Sequence, residues 1–184
     1  MNEAQREIYW ILRAQVGDRS AYNQLLKHHQ GRLFSYLLGL VNDHHTAEDL
    51  LQEIFVIVYK KLRWLEEPKL FRGWLRRIAT RAAFRKLKKL RRYKEISIDQ
   101  TQESDLSEFS RSLSDPILQK RLPTLMENVS PASRAVLLLH YWEGWSLKEI
   151  SGILSIELGT VKSRLHYGLK SLRKQLHHSK KKES

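Results

Sequence analysis

Histidine is the side chain whose charge changes near neutral pH, and the commonest metal ligand. This 184-residue chain has eight: His28, His29, His44, His45, His140, His166, His177 and His178. Three pairs are adjacent, which sends the two rings toward different sides of a helix. No pair joins carboxylates at a ligand spacing, no Gly-rich phosphate loop occurs, and no Ser/His/Asp arrangement is present. The absence of cysteine removes disulfides, thiolate metal sites and Cys nucleophiles. The expectation is surface histidines, no catalytic residue, no bound metal, no cofactor and no small-molecule substrate.

The side chains with chemistry to offer are instead those that bind polyanions. The formal net charge is +13 and the pI is near 10.0, which favours nucleic acid as a partner. From Arg72 to Lys94 eleven Lys/Arg run without an Asp or Glu between them. Trp64, Phe71, Trp74, Phe84 and Tyr93 accompany that run. Aromatic faces for stacking and cations for the backbone are what a single strand requires, although Trp74 also has core spacing. A second acid-free stretch extends from Gly159 to Lys182. On a helical wheel, Thr160, Ser163, Tyr167, Lys170 and Lys174 lie opposite its apolar stripe, with Lys162, Arg164, His166 and Arg173 on the flanks. Such a helix can put hydrogen-bonding side chains into a major groove while its cations neutralise phosphates.

The elements that must position these residues are helices. Ser146 and Glu149 form a capping box, and Leu147, Ile150, Ile153 and Leu154 follow at helical spacing. A tight turn from Ser155 to Leu158 leads to a second helix with Val161, Leu165, Leu169, Leu172 and Leu176 on one face. This is the helix-turn-helix pattern. Upstream, residues 3–16 and 19–41 carry helical periodicity, with Tyr22, Leu25, Leu26, Leu33, Phe34, Leu37 and Leu38 as core. Thr46 is a candidate cap for a third helix reaching about Leu62, with Asp49 at the capping-box position. A loop from Leu65 to Leu70 precedes a basic helix starting at Phe71. Between Glu95 and Leu118 the charge inverts, six acids standing against Arg111, and the composition is that of a flexible linker. The predicted fold is all-α: two small helical domains, 1–95 and 119–178, joined by an acidic linker over 96–118, with a disordered basic tail over 179–184. The first residues, MNEAQREIYW, are neither basic nor apolar enough for a signal peptide. No apolar run is long enough to span a bilayer, so a cytoplasmic location is expected.

AEDLLQEIF (Ala47 to Phe55), FRGWLRRIA (Phe71 to Ala79), the stretch from Leu122 to Ile150 and GTVKSRL (Gly159 to Leu165) resemble, in that order, the extracytoplasmic-function (ECF) group of sigma factors. These are the promoter-specificity subunits of bacterial RNA polymerase. The resemblance implies that Asp49, Gln52, Glu53 and Phe55 bind core polymerase at its beta-prime clamp, with the beta subunit as a further contact. It implies that Phe71, Arg72, Trp74, Arg76, Arg77, Arg81, Arg85 and Lys88 bind the minus-ten element, including the non-template single strand. Thr160, Lys162, Ser163, Arg164, Tyr167 and Lys170 would bind the minus-thirty-five element as duplex. An anti-sigma factor is a further candidate partner. Arg81 stands where members commonly carry Asn, Ser151 and Ser155 replace the usual Ala and Gly, and where members often continue with an Arg-Ala-Arg run, His166 is followed by Tyr167, Gly168 and Leu169. A helix-turn-helix regulator that never binds polymerase is the alternative from the residues alone.

Overall fold

The computed structural model describes residues 2–91, 126 and 129–182. The first domain is built from α1 (Glu3–Gln15), α2 (Arg19–Val41), α3 (His44–Lys61) and α4 (Phe71–Arg91). Two 3-10 turns, Leu62–Trp64 and Pro68–Leu70, join α3 to α4. The second domain holds α5 (Pro131–Leu137), a π-helical turn (Leu138–Trp142), α6 (Leu147–Leu154) and α7 (Leu158–Lys182). There is no strand among the described residues. The acidic stretch 96–118 lies outside them.

Local chemistry sets the helix boundaries. Asp18 caps α2 by accepting from the Ala21 N–H, and the bond holds its carboxyl below the usual range. For α3 the cap is Asp43 and not Thr46: the Asp43 carboxylate accepts from the Thr46 N–H at 2.7 Å. Both residues are good caps, and the earlier one wins because His44, His45 and Thr46 tolerate the first turn. Asn42 takes the left-handed conformation that ends α2 (φ 54°). The Ser146/Glu149 capping box forms as its spacing predicts, with both backbone N–H groups satisfied. α7 continues through Lys182, so most of the expected tail is helical. Its last three residues, Lys180 to Lys182, are cations, which suit a helix C-terminus.

The core of the first domain gathers Ile11, Leu25, Leu33, Tyr36, Leu37, Leu40, Leu50, Ile54, Val58, Phe71 and Leu75. The second domain buries Val136, Leu137, Leu139, Ile150, Ile153, Val161, Leu169 and Leu172. Gly168 lets α7 approach α5. A Cβ at this position would lie 2.7 Å from Leu137 Cδ1 and 3.1 Å from Leu137 Cγ. Leu137 is itself buried and cannot swing aside freely. Gly168→Ala is therefore expected to destabilise the domain despite the about 1 kcal/mol of helix propensity it gains, because overpacking costs about 1–3 kcal/mol. Thermal unfolding checks this; an unchanged or higher midpoint would show that the helices can separate cheaply.

Candidate polymerase and nucleic-acid interfaces

α3 presents an acidic stripe. Ala47, Leu50, Ile54 and Val58 are buried, which turns Asp49, Gln52, Glu53 and Val56 to solvent. Phe55 is half-buried, and its carbonyl accepts from the Tyr22 hydroxyl at 2.6 Å. The acids are met by α4: Arg85 Nη2 lies 3.0 Å from Glu53 Oε1, and Lys86 Nζ lies 3.7 Å from Asp49 Oδ2. These pairs are largely exposed, so each contributes about 0–1 kcal/mol.

α4 has two kinds of cation. Arg72, Arg81, Arg85 and Lys88 are exposed. Arg76 and Arg77 are engaged by the second domain. Arg76 is 5% exposed, and its Nε lies 2.6 Å from both carboxylate oxygens of Glu143. Its guanidinium also sits over the Tyr36 ring, 5.3 Å from the centroid. Arg77 donates to the carbonyls of Ile153 and Gly152 at the end of α6. Phe71 is 1% exposed and packs against His29 and Trp74, which is half-buried. Trp64, in the 3-10 turn that follows α3, is an open aromatic, 70% exposed with the Arg63 guanidinium over its ring.

The helix-turn-helix is formed by α6 and α7. Ser155 adopts φ 55° at the end of α6, the conformation for which glycine is favoured. Ser151 steadies the same turn: its hydroxyl donates to the Ile156 carbonyl at 2.6 Å, and its own carbonyl accepts from the Ile156 N–H. On α7, Lys162, Ser163 and Tyr167 are exposed, while Thr160, Arg164 and Lys170 are half-buried. The Ser163 hydroxyl donates to the Gly159 carbonyl at 3.0 Å.

Glu143, Trp145 and Arg134 are functional neighbours that residue patterns did not single out. Gly144 (φ 78°) reverses the chain after the π turn, and a His140 Nδ1 contact to the Trp145 carbonyl at 2.8 Å fixes the reversal. This aims Glu143 at α4, where the Trp145 indole N–H also donates to it at 3.0 Å. The Arg72 guanidinium lies 5.7 Å from the Trp145 ring centroid. Arg134, 7% exposed, donates to the Leu40 carbonyl at the end of α2 and to the Val129 carbonyl. Their partners in the first domain lie 67 to 94 residues away, beyond the reach of any local pattern.

The fold and its surfaces define a two-domain helical DNA-binding protein: a helix-turn-helix in one domain, a basic helix beside an acidic one in the other. Residues 25–93 match Sigma-70 region 2 and residues 119–172 match Sigma-70 region 4. RNA polymerase sigma factor CarQ of Myxococcus xanthus is 30% identical over 162 residues, 87% of this chain and 91% of CarQ. ECF RNA polymerase sigma factor SigW of Bacillus subtilis is 27% identical over 176 residues, 90% of this chain and 94% of SigW. The chain belongs to the ECF group of RNA polymerase sigma factors, transcription initiation factors that bind core RNA polymerase and promoter DNA. The fold is shared with CnrH in complex with the cytosolic domain of CnrY (TM-score 0.68, 20% identity, 94% of this chain and 98% of that one). It is shared too with the sigma factor RpoE in complex with the anti-sigma factor NepR from Bartonella quintana (TM-score 0.64, 21% identity, 85% and 96%). Among the described residues no helix is long and apolar enough to cross a membrane.

Proposed function

We propose that the surfaces divide promoter recognition by charge. Asp49, Gln52, Glu53 and Phe55 on α3 bind core polymerase. The exposed cations of α4, Arg72, Arg81, Arg85 and Lys88, follow the non-template strand of the minus-ten element as it opens. Lys162, Ser163, Arg164 and Tyr167, flanked by Thr160 and Lys170, read the minus-thirty-five element in duplex form. The observation that carries this reading is the segregation of the surface: acids on the exposed stripe of α3, cations unmixed with acids on α4 and α7. Phe71, being buried, supports the start of α4, and Trp64 is the ring available to stack on an unpaired base. Trp74, Arg76 and Arg77 join the DNA surface only when the two domains part, since the second domain holds both arginines. An anti-sigma factor, the class of protein bound to the Bartonella quintana RpoE, would have this closed form to stabilise.

Reconstitution with core polymerase and transcript mapping on genomic DNA tests the reading as a whole. Specific start sites that require this chain are expected; none would overturn it. Arg81 tests the placement of α4. Arg81→Ala should weaken holoenzyme binding to a single-stranded minus-ten oligonucleotide by about 1–3 kcal/mol if the guanidinium meets a base edge. A phosphate contact would instead weaken all sequences alike and reduce the salt slope by about 1, and Arg81→Lys would then recover binding. Fluorescence anisotropy across a salt series distinguishes the two, and unaltered binding by Arg81→Ala would reject α4 as the reader.

A further inference from the structure

We infer that Glu7, His28 and His29, with Glu3 one turn away on α1, form a site for a borderline divalent transition ion, Zn²⁺ foremost, that staples α1 to α2. The chain spacing hides this group, because the acids and the imidazoles belong to different helices. Folding brings one ligand atom from each of Glu7, His28 and His29 within 4.8 Å of the others, and among the described residues no other trio of His and acids does so. Glu7 Oε1 lies 2.9 Å from His29 Nε2, and Glu3 Oε1 lies 3.5 Å from His28 Nε2. Tetrahedral ligands about 2.0–2.2 Å from a Zn²⁺ ion stand about 3.3 Å apart. The two pairs already stand near that spacing, and the trio as a whole must draw in from as far as 4.8 Å.

Two further observations bear on an ion here. Glu7 Oε1 and His29 Nε2 are buried and meet only each other, 2.9 Å apart. A shared metal ion would take the place of that contact and bind both atoms. Finally, the ligands face a cleft of about 340 Å³, which gives an ion a route in.

Arg32, Arg72 and Arg76 line the same cleft and oppose a cation. Arg76 is already neutralised by Glu143. With Arg76 paired to Glu143, Glu3 and Glu7 offset Arg32 and Arg72, so a bound divalent ion leaves a local excess of two positive charges. Two nitrogen and two oxygen donors with no thiolate select Zn²⁺ or a similar borderline ion over Ca²⁺ or Mg²⁺, which take oxygen shells.

Isothermal titration of the full chain with Zn²⁺ at pH 7.5, and the visible absorption of Co²⁺ in its place, test the site. One ion per chain and the intense bands of tetrahedral Co²⁺ are expected. Glu7→Gln and His28→Gln should each weaken binding by more than the roughly 10- to 100-fold that losing an outer partner of a ligand costs. His28 is the safer histidine to replace, because it is more exposed than His29. The double variant His177→Ala/His178→Ala should bind as the parent does. Absence of saturable binding, parent-level affinity in either ligand variant, or loss of binding in the tail variant would overturn the site. None of these readouts depends on promoter binding.

Discussion

Glu143→Gln is expected to open the protein. The Arg76 guanidinium meets both Glu143 oxygens at 2.6 Å, with the side chains only 6% and 8% exposed. Removing one partner of such a pair costs about 3–5 kcal/mol while the other charge stays buried. This chain has a cheaper outlet than unfolding: if the domains part, Arg76 regains water. The remaining ties include the Arg77 bonds to Ile153 and Gly152, the Arg134 bond to Leu40, the Arg72 guanidinium over the Trp145 ring and the packing of α4 against α6. Moving an equilibrium from 1:99 to 99:1 takes about 5.5 kcal/mol. A loss of about 3–5 kcal/mol therefore turns a closed population into a mixed or largely open one. Small-angle scattering should show a larger radius of gyration with helical circular dichroism unchanged. Exchanging the charges (Arg76→Glu with Glu143→Arg) should restore part of the closure. If Glu143→Gln keeps the parent's dimensions and stability, the pair is not what joins the domains.

Legibility in the sequence follows the range of each interaction. The Ser146/Glu149 box, the Ser155 turn and the 3.6-residue stripes of α2 and α7 depend on neighbours three or four positions apart, and residue type alone fixes them. Asp43 displaced Thr46 because two competent caps stood three residues apart, and the choice rests on small energy differences. The buried face of α3 centres on Ala47, Leu50, Ile54 and Val58, while Leu51 and Phe55 flank it; a wheel cannot set that rotation without the neighbouring helices. Phe71 looked available because it opens a basic helix, yet it lies under His29 from α2. The Arg76–Glu143 pair and the Glu7, His28, His29 group are wholly tertiary. Gly168 lowers the helix propensity of α7, and the reason for it, the close approach of Leu137, is likewise tertiary.

The acidic stripe of α3 leads to the other large effect. Replacing Asp49 and Glu53 together by Lys should abolish stable assembly with core polymerase while leaving the fold intact. Like charges placed against one another across an interface cost several kcal/mol, and this variant turns two attractive positions repulsive. Within the chain the penalty is small. Arg85 and Lys86 lose exposed pairs that contribute about 0–1 kcal/mol each, and the new lysines can turn into solvent. Helical content and unfolding midpoint should therefore stay near the parent's while gel filtration shows core enzyme eluting without the chain. The internal pairs add a second expectation. A basic polymerase surface that takes Glu53 must displace Arg85, 3.0 Å away, and so frees that guanidinium for a DNA phosphate. Core binding and DNA binding by α4 would then reinforce each other. Arg85→Gln should leave Glu53 easier to capture and strengthen assembly slightly, yet weaken promoter DNA binding by the holoenzyme. If the double lysine variant assembles as the parent does, α3 does not face the polymerase. If Arg85→Gln weakens assembly instead, Glu53 and Arg85 act together on that surface and do not compete.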